Sequence, residues 1–194
     1  MNQTINEVCA RRSVRGYTNE AVEKEIIDVV VQTGDSAAHG LAKHPRKFTV
    51  ITKPETLAKV NAGIRDAFRN VPVTEQTPAV IRQMIQKAQD DAADYLYAAP
   101  VFIIVSTDAS DANGESDTAL ALGNMMIAAQ SLGLGSCWMN QIPRLVKAPP
   151  VAALLRELGI PESDTVYGTL VLGHPLQGAA QGTRTINPDV SYFE

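Results

Sequence analysis

The chain has 194 residues, 45% hydrophobic and 20% charged, with a formal net charge of −4. Such a length suits one domain with a full core, and the composition excludes a disordered or fibrous protein. An acidic balance without any block of basic residues argues against a nucleic-acid surface. The longest apolar stretch, ALALGNMMIAAQ, falls short of the roughly 20 residues a membrane span needs.

TINEVCARR opens with Thr4 and Glu7 in capping-box spacing, which predicts a short helix running into the arginines. A second helix follows Thr18 and Asn19, turns Val22, Ile26, Ile27, Val30 and Val31 inward, and stops at Gly34. Phe48 to Thr52 alternates as a strand. Pro54 starts a helix lined by Leu57, Val60, Ile64 and Phe68, and NVPVTEQTP breaks it. The next helix is expected over 79–96, followed by a buried strand from Val101 to Ser106. TDASDANGES reads as a loop. The helix predicted over 116–132 is apolar nearly all round, so it must be buried on several sides, by its own domain and by a second copy. LGLGSCWM then turns into a short strand, a helix runs from Pro149 or Pro150 to Gly159, and Val166 to Leu172 forms the last strand. The tail from Gln177 has turn chemistry and no core pattern. About six helices and four strands make one α+β domain over 1–194.

Two cysteines, Cys9 and Cys137, and no signal-peptide pattern predict a cytoplasmic protein without disulfides. The three histidines show no metal spacing, and neither a nucleophile elbow nor a Rossmann glycine fingerprint is present. In RRSVR, residues 11–15, guanidinium forks and a hydroxyl suit a phosphate; taken alone the same residues suit solvated helix-end charges. In LGLGSCW, residues 132–138, close glycines let backbone approach a flat ligand that Trp138 could stack on; the alternative is a helix stop and a core tryptophan. Cys137 reads as packing beside such a site, and no residue is nominated as catalytic.

RRSVRGYT, GNMMIAAQSLGLGSCWM and VYGTLVLGHP, in this order and spacing, resemble the FMN-dependent nitroreductase family, which includes iodotyrosine deiodinase-like enzymes. The resemblance implies an α+β sandwich with a central mixed sheet flanked by helices, in an intertwined homodimer with FMN in two interfacial sites. It implies that Arg11, Arg12, Ser13 and Arg15 clamp the phosphate and ribityl chain. Ser36 and His39 would touch the flavin from the other subunit, Ser136, Cys137 and Trp138 would form the turn beside its ring, and Arg184 would close the phosphate site. The loop DSAAHGLAKHPRKF departs from the family's P-S-x-x-N-x-Q-P-W-x-F, with Asp35 at the proline and His39 at the asparagine. The implied activity takes hydride from NAD(P)H and reduces a nitroaromatic, quinone or similar acceptor. The alternatives are a reductive dehalogenase or flavin-fragmenting enzyme of the same fold, or a non-enzymatic dimeric binding protein.

Overall fold

The computed structural model describes residues 2–40, 46–179 and 186–193. Arg184 and residues 41–45 of the unusual loop lie outside them. In chain order the elements are α1 Gln3–Ala10, α2 Lys24–Asp35, β1 Lys47–Ile51, α3 Pro54–Arg69, α4 Ala79–Lys87, β2 Val101–Asp108, α5 Gly114–Ser131, β3 Gly135–Met139, α6 Gln141–Leu145, α7 Pro149–Glu157 and β4 Asp164–Gly173. No helix among the described residues is long and apolar enough to cross a membrane.

The four strands form one sheet in the order β1-β2-β4-β3. Every strand pair is antiparallel, and the one parallel bridge among the described residues joins Ser13 to Ser136. Helices cover both faces, which is why β2 reads as the unbroken run VFIIV instead of alternating. Phe102 and Ile104 join Cys137, Met139 and Val171 on the face packed by α3, α6 and α7. Val101, Ile103 and Val105 join Leu170 and Leu172 on the face packed by α2 and α5.

Several boundaries differ from the sequence expectations, each for a local reason. The first helix is capped by Asn2, whose side chain accepts the Ile5 N–H at 3.0 Å, and Thr4 falls inside it. The second begins at Lys24, after an extended segment. The helix expected over 79–96 stops at Lys87, because the Asp90 and Asp94 carboxylates accept the N–H groups of Ala92, Leu96 and Ala98 and fold the chain into turns. Those turns end in two residues of left-handed conformation, Tyr97 and Ala98, with φ of 59° and 58°. The short helix α6 was not expected, since Pro143 sits inside it. The stop at Gly133 is as read: its φ is 74°, and the following Leu134 N–H returns to Ala129 O.

The predicted apolar helix, α5, buries Ala121, Leu122, Met125 and Ala129. It packs on α1 and α2 as well as on the sheet. Leu120 remains half exposed, as do Ile5 and Val8 on α1 and Val29 on α2.

Candidate functional site

Residues 11–18 are strapped across the adjoining ends of β3 and β4. The Arg11 N–H closes α1 on Glu7 O, after which the chain extends. Val14 N–H donates to Ser136 O at 3.0 Å, and Thr18 N–H to His174 O at 2.9 Å. Tyr17 is buried, and its hydroxyl donates to Val14 O at 2.8 Å. Because an extended chain alternates its side chains, Val14 turns down onto Gly135 while its neighbours are free to turn toward Cys137.

Four of the predicted residues, Arg11, Ser13, Arg15 and Cys137, come together there. The Ser13 side chain reaches the Cys137 thiol, and the Arg15 and Arg11 charges act on it. Burial nevertheless pushes the thiol above its ordinary value of 9.0, outweighing the pull of Arg15, Ser13 and Arg11. Tyr97 is the unforeseen member of the group. Burial raises its hydroxyl, with Cys137 adding to the shift, while a hydrogen bond and the charge of Arg15 oppose it. Lys87 lies over the Tyr97 ring at 5.9 Å, and over that of Tyr95 at 4.9 Å, fixing the turn from behind.

A cavity of about 350 Å³ opens beside this group, bordered by Arg15, Tyr97, Cys137, Asn140, Gln141 and the apolar Met84 of α4. Among the described residues, no carboxylate lines it. Trp138 Nε1 donates to Asn140 Oδ1 at 2.7 Å, which fixes that amide. Among the described residues, three polar atoms of the region are buried without a partner: the donor Arg11 Nη1 and the acceptor Gln141 Oε1, and, beside the strap, His174 Nε2. A buried orphan costs about 1–3 kcal/mol, so Arg11 and Gln141 are suited to a ligand that presents an anionic acceptor and an N–H donor. A cavity of about 490 Å³ between α3 and the 94–101 segment is larger, but Asp94 is the one ionisable residue on its wall, so the chemistry points to the smaller cavity.

The remaining predicted residues lie elsewhere. Trp138 borders the cavity, yet its indole packs on the opposite sheet face, near Gly168 and with the α5 core. Ser136 is buried within β3, and Arg12 is half-buried. Ser36 donates its hydroxyl to Thr33 O at 2.9 Å, and His39 follows in the same loop. That loop is pinned by buried Arg46, whose guanidinium donates to the carbonyls of Asp35, Ala37, Ala38 and Asp117. The buried Asp117 carboxylate in turn accepts the Gly40 N–H at 3.1 Å. This anchor adjoins Lys47, which pairs with Ser106, whereas Ser136 pairs with Leu172 and through it lies level with Val101. The five steps from Val101 to Ser106 span roughly 17 Å, so the two groups of candidates occupy opposite ends of the sheet.

Sequence reasoning missed Tyr97, Asn140, Gln141 and Arg46. The dipeptide Asn140–Gln141 directly after a strand was a readable turn signal; the others depend on contacts distant in sequence.

The fold and sequence have clear relatives. A nitroreductase from Bacteroides fragilis with bound FMN superposes with a TM-score of 0.90 at 29% identity, covering all of both chains. The NAD(P)H FMN reductase of Bacillus subtilis is 27% identical, over 100% of this chain and 74% of its own length. An iodotyrosine deiodinase from Haliscomenobacter hydrossis is 26% identical, over 87% of this chain and 78% of its own. With the model of the nitroreductase family matching residues 8–174, the chain belongs to that family.

Proposed function

We propose that this protein is an FMN-dependent oxidoreductase that takes hydride from NADH or NADPH and reduces nitroaromatic, quinone or similar electron-poor acceptors. The observation that carries the reading is a pair of buried orphans: Gln141 Oε1 on the wall of a cavity that holds Arg15 and, among the described residues, no carboxylate, and Arg11 Nη1, whose guanidinium charge reaches Cys137 on that wall. FMN offers both partners they lack, phosphate oxygens and an imide N–H.

FMN supplies the redox chemistry when bound. In this reading Arg11, Arg12 and Ser13 hold its phosphate, joined by Arg184. Arg15, kept in place by Tyr97, sets a positive charge at the cavity wall, where it favours negative charge on the occupant. Cys137 stays protonated, because burial outweighs its cationic neighbours, and serves as a packing surface beside Ser136 and the Trp138 backbone. Val80, Ile81 and Met84 of α4 keep water off the other wall. Ser36 and His39, at the far end of the sheet, would serve the site of a second copy. The half-exposed apolar residues of α1, α2 and α5 support that copy's docking in a homodimer.

A yellow preparation whose flavin bands bleach on addition of NADH or NADPH, and recover with nitrobenzene or a quinone, would bear out the reading. A colourless protein that cannot be reconstituted with FMN would overturn it. The deiodinase likeness favours reductive dehalogenation as the second reading, and an iodophenol in the same acceptor screen separates the two. Sedimentation should show two chains at low micromolar concentration.

A further inference from the structure

On the other side of α6 lies a second depression of about 520 Å³, between the end of α3 at Asn70–Pro72 and the segment from Pro143 to Pro150. Among the described residues that line it, the ionisable ones are Arg144 and Lys147, and none is a carboxylate. Arg144 also borders the 350 Å³ cavity, so the two spaces share a wall and a cation. Both side chains are exposed, and neither makes an ion pair or hydrogen bond with the described residues. Most other cations of this surface are engaged: Lys59 with Glu157, Arg69 with Asp91, Arg156 with Glu162. The positive end of α7 faces the same way, but Pro149 and Pro150 offer no N–H there, so a ligand's contacts would be the two side chains.

Resting on the proposed function, we propose that this depression seats the pyrophosphate and adenosine of the nicotinamide donor. A dinucleotide that lays its nicotinamide in the 350 Å³ cavity must carry two negative phosphates out of it. The exit past Arg144 leads to the second cation, and the prolines and Val71 offer the adenosine an apolar bed. The charges bind the donor without touching the reacting ring, so they act on KM and leave turnover at saturation alone.

The test compares donors with and without phosphates on the FMN-loaded protein. Lys147→Ala should raise KM for NADH and NADPH about 10-fold, as expected for one lost charge-assisted contact. It should leave kcat unchanged, and leave unchanged the rate with 1-benzyl-1,4-dihydronicotinamide, which lacks phosphates. Calorimetric titration with ADP-ribose, a ligand that needs no turnover, should show binding that Lys147→Glu and Arg144→Ala weaken and that salt suppresses. An unchanged KM for the dinucleotides, equal losses with both donors, or no ADP-ribose binding by the unaltered protein would each overturn the proposal. So would a KM rise confined to 4-nitrobenzoate, which would assign the cations to the acceptor. Failure of the benzyl donor to bleach the flavin counts instead against the proposed function, and the ADP-ribose titration still decides the depression.

Discussion

Gly135 presses its backbone against Val14 so closely that a Cβ at position 135 would lie 2.9 Å from Val14 Cβ and Cγ1. Those atoms cannot swing aside, since Val14 is branched at Cβ and buried. Gly135→Ala must therefore push the 11–18 strap off β3, and should cost about 1–3 kcal/mol as an overpacked core site. A lowered urea midpoint together with loss of copurifying flavin is the expected result; normal flavin content would show that the strap is not what positions the site.

Removing Arg11 should discriminate between two forms of the vitamin. On the proposed function, Arg11→Ala would take away one charge-assisted contact to a phosphate, about 1.5–3 kcal/mol or roughly 10- to 150-fold in FMN affinity. Riboflavin lacks the phosphate and should bind almost as before. Fluorescence-quenching titrations with both ligands measure this, and equal weakening of the two would point to damage of the fold.

Alkaline pH should destabilise the protein. The Cys137 thiol and the Tyr17 and Tyr97 hydroxyls are all raised above their ordinary values of 9.0 and 10.0, chiefly by burial. Each is neutral when protonated, so above pH 9 the unfolded chain begins to shed protons that the native state keeps. The unfolded state then binds fewer protons, and stability falls as pH rises. The urea midpoint should begin to drop near pH 9 and fall more steeply above pH 10, where the tyrosines of the unfolded chain join the thiol, and Cys137→Ser should remove the portion that begins near the thiol's value. A flat profile would mean that these groups are solvated in the native state.

Arg46 supplies donors to four carbonyls, at 2.8 to 3.3 Å. Arg46→Met leaves them without those donors in a buried setting, at a cost of at least about 1–3 kcal/mol. The segment that Arg46 holds should then open, so limited proteolysis should cut within 35–40 well before the rest of the described chain. Resistance equal to that of the unaltered protein would show that other contacts hold the loop.

What could be read from the sequence followed the range of the interactions. β2, α3 and the Gly133 stop were legible because apolar periodicity and a glycine of positive φ act within a few residues. The Ser13–Cys137 convergence was accessible only through the family resemblance, since nothing local brings residue 13 to residue 137. Arg46 and Asp117 stand 71 positions apart and escaped notice. The 88–98 segment misled because Ala92, Ala93 and Leu96 imitate a helix, while the aspartates that end it act through side-chain bonds that periodicity ignores. Tyr97 was lost with it, and with Tyr97 one wall of the cavity.

The separation of Ser36 and His39 from Arg11 and Cys137 along β2 carries a genetic consequence. One small ligand cannot touch both ends of the sheet of a single chain, so a pocket built from both draws each half from a different copy. Chains crippled by Arg11→Ala and chains crippled by His39→Ala would then complement one another. Co-expressed in equal amounts and paired at random, half of the dimers would be mixed and each would hold one pocket with both residues intact, restoring about a quarter of the sites. Neither variant alone would have any.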